Sequence, residues 1–166
     1  MHRALVRGAG SLLVVVGTAA GLAGAETSLP GEAPPAAEVK QALMRHGVFR
    51  YTSYPAAWTE AQKSGRPILV FVTSPSCPHC TQMLGLTYAK STVRDYVGET
   101  FETVLIDRSE QPELISKLHV RWFPTTLVVG PDNQVIDIIE GYVDAGAFSR
   151  RLQTTLATHN QETQQR

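Results

Sequence analysis

Pro67-Ile68-Leu69-Val70-Phe71-Val72-Thr73-Ser74-Pro75-Ser76-Cys77-Pro78-His79-Cys80 is the stretch whose reading decides the fold. It opens with a short, continuous apolar run bounded by Pro and Ser, the pattern of a strand buried on both faces. Ser74-Pro75-Ser76 reads as a loop that delivers Cys77 to the start of a helix expected over Pro78–Ala89. Pro78 suits the first helical turn, because it has no N–H to lose and its φ is preset. The chain's 2 cysteines both lie here, so an intramolecular disulfide can only be Cys77–Cys80. A bridge closing so short a loop restrains the unfolded chain little and is a poor staple. Chemistry is the better reason for the pair.

A helix start offers unpaired backbone N–H groups and a partial positive charge. Both favour a thiolate at Cys77, whose pKa is expected below that of an ordinary thiol. Cys80 follows about one turn later, within reach of the Cys77 sulfur. In this pattern Cys77 attacks a substrate disulfide or releases a mixed disulfide, and Cys80 resolves it. His79, cationic or donating from a ring nitrogen, is expected to stabilise the thiolate. That would make the disulfide a stronger oxidant. The plainer reading of His79 is a solvated residue on the first turn.

Metal binding is the competing chemistry. Cys77, His79 and Cys80 offer ligands, but structural zinc usually takes four, and no second Cys or His pair stands at a suitable spacing. His46, His119 and His159 are scattered and read as surface residues. Haem attachment needs C-x-x-C-H, and residue 81 is Thr. Neither a metal nor another cofactor is expected.

Outward from the motif, Val48–Thr52 reads as a first strand and Pro55–Gly65 as a helix closed by glycine. After the cysteine helix, Ser91 is expected to cap a piece over Thr92–Val97 that Gly98 ends. Phe101–Asp107 reads as a strand and Gln111–Leu118 as a short helix. Thr125–Val129 and Val135–Glu140 read as a hairpin joined by Gly130-Pro131-Asp132-Asn133-Gln134. Ala145–Leu156 is an amphipathic helix with Phe148, Leu152 and Leu156 on one face, followed by a polar tail. Alternating units, then an antiparallel pair and a closing helix, predict an α/β fold: a mixed central sheet with helices on both faces.

At the N-terminus, His2, Arg3 and Arg7 precede the apolar run Ser11–Ala20 and an Ala23-Gly24-Ala25 cleavage pattern, so residues 1–25 read as a signal peptide. The alternative is an uncleaved anchor, for which the segment is short and rich in Gly and Ala. Cleavage removes Arg3 and Arg7 from 15 basic residues, leaving 13 against 15 acidic ones and a net charge of −2. Export implies a compartment where disulfides persist, the periplasm in a bacterium. Residues 26–47 read as a Pro-rich linker and a short helix over Val39–His46, 48–158 as the folded domain, and 159–166 as the polar tail. The 166-residue chain is 43% hydrophobic with zero formal charge, which suits one globular domain and points away from nucleic acid.

Over about Val48–Leu156 the chain resembles the thioredoxin superfamily. The resemblance rests on Ile68–Val72 leading into Cys77-Pro78-His79-Cys80, on Trp122-Phe123-Pro124-Thr125-Thr126 ahead of a strand, and on Gly141. It implies the thioredoxin fold, a cis Pro124 facing the cysteines, and a Phe123 backbone that pairs with an extended substrate, with Trp122 beside it. The alternative is an ordinary trans proline in a loop. Trp58–Val70, with Ser64-Gly65-Arg66-Pro67, is similar to exported thioredoxin-like proteins and to C-terminal domains of transmembrane reductases. The Pro-His dipeptide resembles the superfamily's periplasmic oxidants. Those carry a helical insertion between C-x-x-C and the cis proline, and only 43 residues separate Cys80 from Pro124 here. Thioredoxins place a buried aspartate six residues before the first cysteine; here Phe71 stands there. Either Cys80 deprotonates through solvent or another group, or efficient reduction is not this protein's task.

The expected function is therefore thiol–disulfide oxidoreduction on exported proteins that carry thiols or disulfides. Pro-His and the missing aspartate favour an oxidant. The short scaffold and upstream likeness favour a reductase fed by a membrane redox partner. The competing class is a binding module that captures partners, or copper, without turnover. Tyr51, Tyr54, Trp58 and Trp122 either border a substrate groove or pack in the core, the more ordinary fate of such side chains.

Overall fold

The computed structural model describes residues 36–45 and 47–165. The expected signal peptide, the Pro-rich segment up to residue 35 and His46 lie outside the described residues. Helix α1 spans Ala36–Arg45 and α2 spans Tyr54–Ser64. Strand β1 is Ile68–Thr73, followed by α3, Pro78–Gln82, which runs directly into a π-helical segment, Met83–Tyr88. Then come α4 (Ser91–Thr100), β2 (Glu102–Asp107) and α5 (Pro112–Lys117). The hairpin β3 (Thr125–Val129) and β4 (Val135–Glu140) precedes α6, Ala145–Gln164.

The four strands lie in the order β2-β1-β3-β4. β1 runs parallel to β2, pairing Ile68 with Glu102 and Thr73 with Asp107, and antiparallel to β3, pairing Val72 with Thr125. The expected mixed sheet is present. All six residues of β1 are buried, as its unbroken apolar run predicts. Strand alternation divides them between two layers. Leu69 and Phe71 pack with Met83, Tyr88, Val93, Val97, Phe148 and Leu152 on one face. Ile68, Val70 and Val72 pack with Ala57, Ala61 and Ile115 on the other. Helices thus cover both faces, with the cysteine helix on the first.

Several boundaries differ from the sequence reading. Val48–Thr52 is not a strand: Tyr51 makes a single bridge to Val104. Val48 and Phe49 are consecutive, yet both are fully buried in the same layer, which the two-residue alternation of a strand forbids. Pro78–Ala89 is one helical passage in which the second half widens to π geometry around Gly85, with Ala89 N–H bonded to Leu84 O. Lys90, not Ser91, is the N-cap of α4, and Gly98 continues that helix to Thr100. Gly98 stays in place because its carbonyl accepts from the Arg50 and Arg66 guanidiniums, at 2.6 Å and 3.4 Å. The polar tail is helical to Gln164. Once α6 is nucleated, each added residue gains a backbone bond even with its side chain in water. The hairpin lies where the turn residues predict, with Asn133 at φ 65 in the left-handed region.

Candidate functional site: the disulfide at the C-terminal end of the sheet

β1 and β2 end side by side at Thr73 and Asp107, and β3 begins beside them at Thr125. The chain leaves β1 through Ser74-Pro75-Ser76, where Ser76 takes φ 55, and reaches Cys77 as the N-cap of α3. Cys77 and Cys80 form a disulfide with Cα atoms 5.2 Å apart. The Cys80 N–H points at Cys77 Sγ at 3.2 Å. The Cys77 carbonyl accepts from the N–H groups of Cys80 and Thr81 at 3.1 Å and 3.2 Å, so the first helical turn holds the pair. The cysteines are unequal: Cys77 is half-buried and Cys80 only 2% exposed. An incoming sulfur can therefore reach Cys77 far more readily than Cys80.

Pro78 occupies the first turn and is exposed. His79 is also exposed, with Nδ1 3.5 Å from Gln82 Oε1. Its ring lies on the solvated side of the turn. The helix is anchored behind the cysteines by Tyr88, which stacks edge-on against Phe71 and Phe148 with centroids 5.0 Å and 5.2 Å away. The Tyr88 hydroxyl meets Thr126 Oγ1 at 2.9 Å, tying the helix to β3. Burial pushes this phenol far above its usual pKa, more than the Thr126 hydrogen bond lowers it. Phe71, in the layer that packs against Met83 and Tyr88, is fully buried and provides no titratable group.

Pro124 is cis after Phe123 and buried at the start of β3, at the same end of the sheet as Cys77. Its carbonyl accepts the Gly141 N–H at 2.8 Å, and Gly141 has φ +79, a conformation that suits glycine. Phe123 is half-buried, and its ring lies under the Arg108 guanidinium, 5.4 Å from the centroid. Its N–H and C=O have no backbone partner among the described residues. Trp122 is 67% exposed. Of the other aromatics, Tyr51, Tyr54 and Trp58 pack against the second layer of the core.

A cleft of about 480 Å³ opens beside the disulfide, lined by Cys77, Cys80, Thr73, Asp107 and, from α1, Lys40. A larger one, about 630 Å³, lies between β4 and α6, remote from the cysteines. There Asp137 already bonds Arg151 and Thr155, so polar groups are spent on one another. The geometry brings Cys77, Pro78, His79 and Cys80 together on one turn and sets Phe123 and Pro124 at the same sheet end. Asp107, Arg108 and Lys40 are the residues that sequence reading missed. Parallel pairing of β1 with β2 is the signal for Asp107, since it places the last residue of β2 beside the exit to Cys77. No sequence signal marks Lys40, because nothing local tells where α1 docks.

The family model for a thioredoxin-like domain matches residues 54–156, well over half of the chain. The protein belongs to the thioredoxin-like family. Solved structures agree at the level of the fold. A DsbH oxidoreductase superposes with a TM-score of 0.60 at 18% identity, covering 66% of this chain and 85% of that one. A thioredoxin from Thermus thermophilus gives 0.60 at 24% identity, over 66% and 88% of the two chains. The C-terminal domain of Neisseria meningitidis DsbD in its oxidised form gives 0.55 at 20% identity, over 61% and 90%. No curated protein matches the chain. The Cys77–Cys80 disulfide and the cis Phe123–Pro124 bond both lie within the matched residues. Helix α1, which brings Lys40 to the cleft, lies ahead of the matched residues. Among the described residues no helix is long and apolar enough to cross a membrane.

Proposed function

We propose that this thioredoxin-like protein is a thiol–disulfide oxidoreductase acting on exported proteins, with Cys77 as the attacking and Cys80 as the resolving sulfur. The observation that carries it is the inequality of the pair: a half-buried Cys77 at a helix start, backed by a buried Cys80 within bonding distance. In the oxidising direction a substrate thiolate attacks Cys77 Sγ and releases Cys80 as a thiolate. A second substrate thiol then displaces Cys77 and takes the disulfide. The reducing direction runs these steps backwards. Pro78 starts the helix whose N–H groups favour the Cys77 thiolate, and His79 adds its charge when protonated.

Substrate recognition in this reading is extended-strand pairing with the free backbone of Phe123, ahead of cis Pro124, with Trp122 as an apolar contact. The basic–apolar–A-x-A pattern of residues 1–25 supports a periplasmic location, where a membrane partner would restore the redox state. The test is covalent trapping in extracts of exported proteins. Cys80→Ala is expected to accumulate mixed disulfides through Cys77, and Cys77→Ser none. Trapping by neither variant, with partner affinity kept in both, would establish a binding module instead. The reduction potential then sets the direction: about −120 mV marks an oxidant and about −270 mV a reductant.

A further inference from the structure

We propose that Asp107 takes up the proton of Cys80, through water held in the cleft, when Cys80 resolves a mixed disulfide. This inference rests on the oxidoreductase reading and identifies a group that serves its second step.

Cys80 must lose a proton before it can attack, because the thiolate is the nucleophile. In the disulfide form Cys80 is 2% exposed, and Phe71, six residues before Cys77, is apolar and fully buried. The open route from Cys80 is the cleft that it lines with Cys77. At about 480 Å³ this space holds several waters, each needing about 30 Å³. Asp107 is the one carboxylate lining it among the described residues. Its Oδ1 accepts from Ser109 N–H at 2.9 Å and from Ser109 Oγ at 2.6 Å, which fixes the side chain. Both bonds end on Oδ1, and Oδ2 has no hydrogen-bond partner among the described residues. None of the ion pairs among the described residues involves Asp107.

The charges around it come from three directions. Lys40 on α1 lines the same cleft, with Nζ 3.9 Å from Glu110 Oε1 on the loop after β2. Arg108 is turned away over the Phe123 ring. In the step itself the Cys80 S–H proton passes through water to Asp107. The Cys80 thiolate attacks Cys77 Sγ and forms the Cys77–Cys80 bond. The bond from Cys77 to the substrate sulfur breaks, and that sulfur leaves with the electron pair as the reduced product. Asp107 then returns the proton to solvent or to the leaving thiolate. The protein dithiol is oxidised and the substrate disulfide reduced, with no other reactant.

The experiment mixes reduced protein with glutathione disulfide, quenches with acid and follows the glutathione adduct by mass. Adduct formation reports attack by Cys77; adduct loss reports closure by Cys80. Asp107→Asn keeps an oxygen for Ser109 and removes the proton acceptor. It is expected to slow closure about tenfold at pH 7 and to move the pH–rate profile of closure upward, with adduct formation changed less than about twofold. Asp107→Glu is expected to restore most of the closure rate. Ser109→Ala, which disturbs the same turn but keeps the carboxylate, is expected to leave the profile in place. Wild-type closure in Asp107→Asn, or an equal shift in Ser109→Ala, would overturn the role of Asp107 while the oxidoreductase reading stands. A wild-type protein that forms no adduct would overturn both.

Discussion

The two ends of β2 carry one carboxylate each, and their surroundings are opposite. Glu102, at the start, is 2% exposed and held by Arg66, by Arg50 at 3.4 Å and by Ser64 Oγ at 3.1 Å. The carboxylate of Asp107, at the end, bonds only Ser109 among the described residues, and Asp107 lines an open cleft beside the disulfide. The first end is a closed set of charges whose lone pairs are taken. The second leaves a carboxylate oxygen and a backbone segment at Phe123 without fixed partners, beside the Cys77–Cys80 disulfide. A buried charge must be paired to be tolerated, whereas a group that exchanges protons or pairs with a substrate must keep capacity in reserve. The parallel sheet separates the two tasks by the length of one strand.

The largest expected effect lies at the open end. Cys77→Ser should abolish turnover in a disulfide-exchange assay while the thermal transition stays cooperative, because a bridge across so short a loop stabilises little. Loss of folding in that variant would mean the bridge is structural and would erase the contrast. At the closed end, Glu102→Ala should cost about 2–3 kcal/mol in urea unfolding, below the usual penalty for breaking a buried pair. The reason is that Arg50 and Arg66, at 35% and 31% side-chain exposure, can turn to water. Its exchange rate per folded molecule should be unchanged; a changed rate would show that the two ends are coupled. Trp122→Ala should weaken binding of an unfolded, thiol-bearing protein by about 1–2 kcal/mol, read as a raised KM, with stability within about 0.5 kcal/mol of the parent.

The smallest effect concerns a second closed carboxylate. Asp137 on β4 accepts from Arg151 Nη2 at 2.7 Å and from Thr155 Oγ1 at 2.7 Å. Burial raises its pKa, but the Arg151 and Thr155 hydrogen bonds and the Arg151 charge outweigh it, leaving the group below its ordinary 3.8. A folded-state pKa below the unfolded one contributes stability that is complete above the unfolded value. That contribution is lost as pH falls through the folded value. Arg151 is half exposed, so the pair should be worth only about 0.5 kcal/mol. Arg151→Gln should therefore lower stability slightly at neutral pH and not at all well below pH 3.8. A stability difference that persists in strong acid would assign the effect to packing of the Arg151 stem instead.

Much of the fold is legible because its signals are local. The apolar run of β1, the turn residues of the hairpin and the placement of Cys77 after a strand each act over a few neighbours. The failures have the opposite character. Val48–Thr52 has strand-like residues, but Val48 and Phe49 are both drawn into one layer by helices distant in sequence. The π widening after Gln82 and the passage of α4 through Gly98 answer to contacts with other elements in the same way.

The chain's own order of residues determined that Cys77 and Cys80 can bridge only each other and that a buried strand leads to them. These follow from covalent neighbourhood and side-chain chemistry. Tertiary structure alone decided that Cys80 is buried and Cys77 accessible, and that Asp107 and Lys40 share a cleft with both. Burial and shared clefts depend on which residues the parallel sheet and α1 bring together across tens of positions. Such distances are set by the packing of whole elements, which no local pattern encodes.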